Sequence, residues 1–161
     1  MDSGLFYVSG FHFVVSFINV TTEDKGESES TKFPILPDIS FSEVSGLGAE
    51  VETDEISEGG NNSFRYKLPK RTKYKNLVLK RALSTIPSIL TTWINTSLQN
   101  FEFHPCTVVV AILNEHSIPI KIWNFSNVYP IKVEYSSLNA NKGELVIENL
   151  ELAYNESKKI L

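Results

Sequence analysis

Cysteine is almost missing from this chain: Cys106 stands alone in 161 residues. A lone cysteine closes no intramolecular disulfide, which excludes a stapled secreted domain. Long apolar runs are missing too. The longest, Val108 to Leu113, is six residues, against the ~20 that cross a bilayer as a helix. No Lys or Arg precedes Lys25, so the basic start of a Sec signal is not expected. His12, His104 and His116 stand far apart, and none shares a metal-ligand spacing with Cys or another His. No nucleophile elbow, P-loop or dinucleotide fingerprint occurs. Ser45-Gly46-Leu47-Gly48 is glycine-rich, but no helix is expected after it to meet a phosphate. The expectation is a protein that is not an enzyme, with no catalytic residue, no metal and no cofactor.

What is present is ordinary in amount and unusual in arrangement. Apolar residues make up 42% and charged residues 21%, values of a globular chain rather than a disordered one. A chain of this length buries roughly 70% of its unfolded surface and folds without staples. One domain over residues 1–161 is expected, with an acidic loop insertion at about 19–38. The net charge of −4 hides strong segregation. Residues 1–60 hold twelve acids and two bases, residues 61–100 eight bases and no acid, and residues 101–161 seven acids and five bases. Opposed segments either neutralise each other within one subunit or present complementary faces for self-association.

Along the chain the dominant signal is β. Phe11–Ile18 reads as a strand, rich in aromatic and β-branched residues. Asn19–Lys32 is polar and acidic and reads as a mobile connection, with Pro34 and Pro37 at its exit. Ile39–Val44 resumes as a strand. Ala49–Ile56 alternates, with Glu50, Glu52 and Asp54 on one face. The turn signal Glu58-Gly59-Gly60-Asn61-Asn62 follows, then Ser63–Leu68 with Phe64, Tyr66 and Leu68 opposite Arg65 and Lys67. This predicts a hairpin with charges paired across it, ended by Pro69. Tyr74–Leu83 is a further strand. Pro87 marks the start of a helix with Ile86, Leu90, Trp93, Ile94, Ser97, Leu98 and Phe101 on its inner stripe. Cys106–Leu113 is a buried strand. Strands at Ile120–Phe125, Pro130–Tyr135 and Glu144–Tyr154 complete the chain. The fold class is mainly β: a barrel or sandwich of about eight or nine strands with one flanking helix.

Two charged stretches carry alternative chemistry. The carboxylates Glu50, Glu52, Asp54 and Glu55 suit a solvated or salt-bridged face better than an acid/base pair or a calcium site. The run from Arg65 to Lys75 interleaves bases with Tyr66 and Tyr74, which suits single-stranded nucleic acid. The sequence pI near 5.4 argues against that reading. A small β-sandwich module binding carbohydrate or nucleic acid through Trp93, Trp123 and the tyrosines is the alternative class. Trp93, on the helix's apolar stripe, is expected in the core instead. Cys106, opening an apolar strand, is expected to be an inert core residue.

Four blocks, in order, resemble the tail-tube proteins of contractile phages and phage-tail-like injection particles. They are residues 41–62 (FSEVSGLGAEVETDEISEGGNN), 67–81 (KLPKRTKYKNLVLKR), 123–130 (WNFSNVYP) and 146–154 (VIENLELAY). The resemblance implies a β-barrel with one helix, similar in fold to the secreted ring protein of type VI secretion. It implies hexameric rings stacked into a conduit, with sheath, baseplate and spike proteins as partners and cargo in the lumen. It also implies assembly in the bacterial cytoplasm, without membrane insertion by this chain. Ala82 departs from the family, which usually has Gly after Leu-Lys-Arg, and the acidic segment after residue 19 is longer than usual. These departures keep a specialised ring next to the spike as an alternative to the main tube subunit. With the charge pattern, the intersubunit candidates are Glu50, Glu52, Asp54, Glu58, Arg65, Lys67, Lys70, Arg71 and Lys73.

Overall fold

The structure, a computed structural model, describes residues 12–22, 31–36, 41–57, 59–60, 64–86 and 88–161. Ten strands and one helix follow in the order β1 (Phe13–Thr22), β2 (Thr31–Leu36), β3 (Glu43–Ser45), β4 (Ala49–Ile56), β5 (Tyr66–Tyr74), β6 (Leu77–Ala82), α1 (Ile89–Asn100), β7 (Cys106–Leu113), β8 (Pro119–Tyr135), β9 (Ile147–Ala153) and β10 (Glu156–Lys159). Eight strands form one sheet, in the order β2-β1-β7-β8-β9-β6-β3, with β10 beside β8. Every pairing is antiparallel. The sheet does not close into a barrel. It folds over itself like a sandwich, because β8 serves two neighbours in succession. Its first half pairs with β7 and β10, and its second half with β9. The change of partner falls where Asn127 takes a positive φ of 54° and the register slips beside Pro130.

The core lies between the two halves and under the helix. Phe17, Leu79, Leu90, Trp93, Phe125 and Leu152 are all fully enclosed. Trp93 is therefore core, as its place on the stripe implies, and its indole N–H donates to the His104 carbonyl at 2.8 Å. Phe17 meets its ring edge-on at 6.0 Å. Helix α1 starts at Ser88, whose hydroxyl accepts from the Thr91 amide at 3.2 Å. Cys106 is buried, and burial pushes its thiol up to about 12.

Several boundaries differ from the sequence reading. Asn19–Thr22 is not connection but the end of β1, and Thr31–Leu36 forms its edge partner. Val20 and the two threonines are β-branched and continue the ladder. Pro34 is tolerated because β2 is an edge strand. Residues 23–30 and 37–40, which include half of the acidic insertion, lie outside the described residues, as do Phe11, Glu58, residues 61–63 and Pro87. The strand expected at Ile39–Val44 is described only as the short β3, and Tyr74 belongs to β5 rather than β6. Ile120–Phe125 and Pro130–Tyr135 are one continuous strand, and β10 was not anticipated. The helix stripe holds in its middle, at Leu90, Trp93, Ile94 and Ser97, but Ile86, Leu98 and Phe101 are exposed. Phe101 leaves the helical path with a φ of 59°, which turns its ring away from the core.

Candidate functional site

Strands β4 and β5 form a separate two-stranded sheet. Every residue of β5 is exposed, and in β4 all but Glu52 are. A hairpin alone in water is marginal, so what holds this one is its base and its charges. At the base, Gly46 (φ 88°) backs onto the outgoing chain; a Cβ there would lie 2.0 Å from the Asn76 carbonyl oxygen. Only glycine fits so close an approach. The Asn76 amide donates to Glu151 Oε1 at 2.6 Å, tying the outgoing strand to β9. Tyr74 packs on Tyr154 at 5.9 Å, and Tyr154 packs edge-on to Phe125 at 4.8 Å. Burial, then the neighbouring Tyr74, raises the Tyr154 hydroxyl above its usual range.

The charges face each other across the strands. Arg71 Nε lies 2.8 Å from Glu52 Oε2, and Lys73 Nζ 3.9 Å from its other oxygen. Lys70 Nζ lies 3.4 Å from Asp54, Arg65 3.3 Å and Lys67 3.7 Å from Glu55. Glu50 stands opposite Lys73 in the register. The structure thus brings eight of the nine candidate residues together, and Glu58 lies outside the described residues. It brings them together within one hairpin, so these acids and bases meet each other in the same subunit.

Pro69 does not end β5. The pairing jumps from Glu52–Arg71 to Thr53–Pro69, leaving Lys70 as an extra residue. This bulge lets a proline sit in a ribbon whose outer edges carry no partner among the described residues. It also reverses the alternation of β5. Arg71 and Lys73 share a face with Glu50 and Glu52, whereas Arg65 and Lys67 share the opposite face with Glu55. One face is consequently charged near the base and apolar towards the tip, where Ile56, Phe64, Tyr66 and Leu68 lie exposed. Phe64 and Tyr66 stack edge-on at 5.0 Å. The sequence reading placed Phe64, Tyr66 and Leu68 together but chose their charged neighbours as the contact residues.

Each carboxylate of the arm with a base in contact has that base exposed to water. The chemistry is that of a projecting arm whose edges are unpaired among the described residues and whose described tip side chains are apolar, suited to contact with another protein.

Comparison with known proteins fits this chemistry. The sequence model of the family described as T4-like virus tail tube protein gp19 matches residues 9–158. Among solved structures, a chain of the anti-feeding prophage (AFP) baseplate, 6-fold symmetrised, superposes with a TM-score of 0.77 at 25% identity, over 99% of this chain and 97% of that one. A chain of the PVC extracellular contractile injection system, from its sheath–tube complex in the extended state, gives 0.72 at 21% identity, over 97% and 93%. An Hcp protein shares the fold more distantly, at 0.50 and 11% identity over 90% and 89%. No curated protein sequence matches.

Proposed function

The chain belongs to the family of the T4-like virus tail tube protein gp19, and from that premise we propose that six copies close into a ring and that rings stack into the inner tube of a contractile injection particle. The arm β4–β5 carries this reading. It projects from the sheet, is fixed at its base by Gly46, Asn76 and Tyr74, and spends its charges internally. The AFP relative comes from a 6-fold assembly, which supports the ring number. A tube subunit works by shape and contact, so it needs no catalytic residue. Sheath, baseplate and spike proteins are its partners, the lumen holds cargo, and assembly precedes release of the particle from the bacterial cytoplasm.

One observation favours a second reading, a specialised ring at the baseplate. The AFP baseplate chain is 25% identical and the PVC sheath–tube chain 21%. Ala82, where tube proteins usually have Gly, ends β6 opposite Ile147 and adds no distinction between the two. Electron microscopy of the purified protein tests both. Long tubes identify the main subunit, and single rings that extend only on another protein identify the initiator. Featureless monomer under all assembly conditions overturns both.

A further inference from the structure

A surface helix ordinarily carries charges on its outer face. Helix α1 carries none. From Ala82 to Phe101 there is no Asp, Glu, Lys or Arg in twenty residues, although 21% of the chain is charged, which would place about four there. Its solvent face is Thr92, Asn95, Leu98, Gln99 and Asn100. Exposed apolar residues flank it, Ile86 at 74% and Phe101 at 82%. This composition costs the isolated subunit stability. Thr and Asn are weak helix formers, and neither end carries a charge that answers the helix dipole. Phe101 occupies the left-handed conformation that Gly or Asn usually fills after a helix, and it packs on Phe103 at 5.1 Å while facing water. Loss of charge and gain of exposed aromatics mark the centre of a protein contact.

We infer that the outer face of α1, between Ile86 and Phe101, is an assembly surface that receives the apolar hairpin tip of a second copy of this chain. The inference rests on the tube reading above. Two observations select the occupant. Among the described residues, the tip face of Ile56, Phe64, Tyr66 and Leu68 carries one acid, Asp54, which is paired with Lys70, and the Glu55 pairs lie on the opposite face. Such a surface meets an uncharged helix without stranding a charge. The contact also joins two different patches of one chain. Heterologous contacts of that kind close into rings or run on as stacks. The four tip side chains, each about half exposed, offer about 300–400 Å². A standard interface buries ~800 Å² per partner. One contact therefore does not hold a dimer; it holds when repeated around a ring.

The test alters the helix and leaves the arm intact. Asn95→Glu with Gln99→Lys keeps the net charge and adds a favourable i,i+4 pair, so the monomer folds at least as well. Assembled material, counted by electron microscopy and sedimentation, should fall at least tenfold relative to the unaltered protein. In a second arm, copies with Tyr66→Cys are mixed with copies carrying Gln99→Cys and oxidised. A disulfide-linked dimer should form in the mixture and in neither protein alone; the native Cys106 is buried and does not compete. If the unaltered protein assembles and the helix variant assembles equally well, or the assembled mixture yields no crosslink, the helix contact is overturned while the tube reading stands. If the unaltered protein never assembles, the tube reading itself falls.

Discussion

Arg81–Glu148 and Arg71–Glu52 are chemically the same pair in two surroundings. The first joins β6 to β9 with both side chains enclosed, and Arg81 also donates to Thr91 at the start of α1. The second lies on the hairpin, with the arginine side chain 73% exposed. A buried pair is expensive to break, because the survivor is left charged in a medium that solvates it poorly. An exposed pair is replaced by water and ions at little cost. Five such exposed contacts therefore stabilise the molecule less than the single enclosed one protects it. They hold the two strands of the arm in register.

This contrast can be broken at four points. The largest effect is expected from Arg81→Met, which strands Glu148 and should cost 3–5 kcal/mol, at the order-of-magnitude level, in urea unfolding. The double variant with Glu148→Leu should recover most of it. A single variant no worse than one on the arm would erase the distinction. Next comes pH. The Cys106 thiol is pushed up to about 12 from an ordinary 9.0 by burial. Between those values the unfolded chain has lost the proton that the folded chain keeps. The unfolded state then binds fewer protons, so stability falls as pH rises, by at most ~1.4 kcal/mol per pH unit. Unfolding at pH 8.5 and 10.5 should show this slope, and Cys106→Ala should flatten it. Burial also raises Tyr154 and Tyr135, and both act with the same sign above their ordinary range. Third, Ser88→Ala removes the cap of α1 and should cost about 1 kcal/mol in thermal or urea unfolding. Smallest is Glu52→Ala on the arm, at about 0.2–1 kcal/mol, a difference that 1 M salt should remove.

Local chemistry made part of this molecule legible. Ala49–Ile56 and Cys106–Leu113 were bounded correctly because each is a pure pattern, one alternating and one apolar, ended by turn residues. The pairing of acids with bases across the hairpin followed from period-two alternation on both strands. What escaped depends on distant partners. Pro69 reads as a stop, and only the bulge opposite Thr53 makes room for it. Asn127 and Pro130 read as a break in β8, yet β9 and β10 pair along its flank and carry it through. Glu156–Lys159 is too polar and short to read as a strand, and its ladder to residues 123–126 makes it one. In the arm, the pairing was legible but the faces were not: the bulge at Lys70 places Arg65 and Lys67 with Glu55 rather than with Glu50 and Glu52. The uncharged span of α1 was legible throughout, as an absence across twenty residues.

The long strand β8 has a mechanical consequence. Its seventeen residues have a contour of about 55 Å, and they are hydrogen-bonded to β7, β10 and β9 in turn. A load along that strand is resisted in shear by several ladders at once, so no single pair of strands can be unzipped first. A subunit built around such a tie beam passes thrust from one end of the sandwich to the other as a stiff body. That stiffness resides in one continuous stretch of backbone rather than in any side chain.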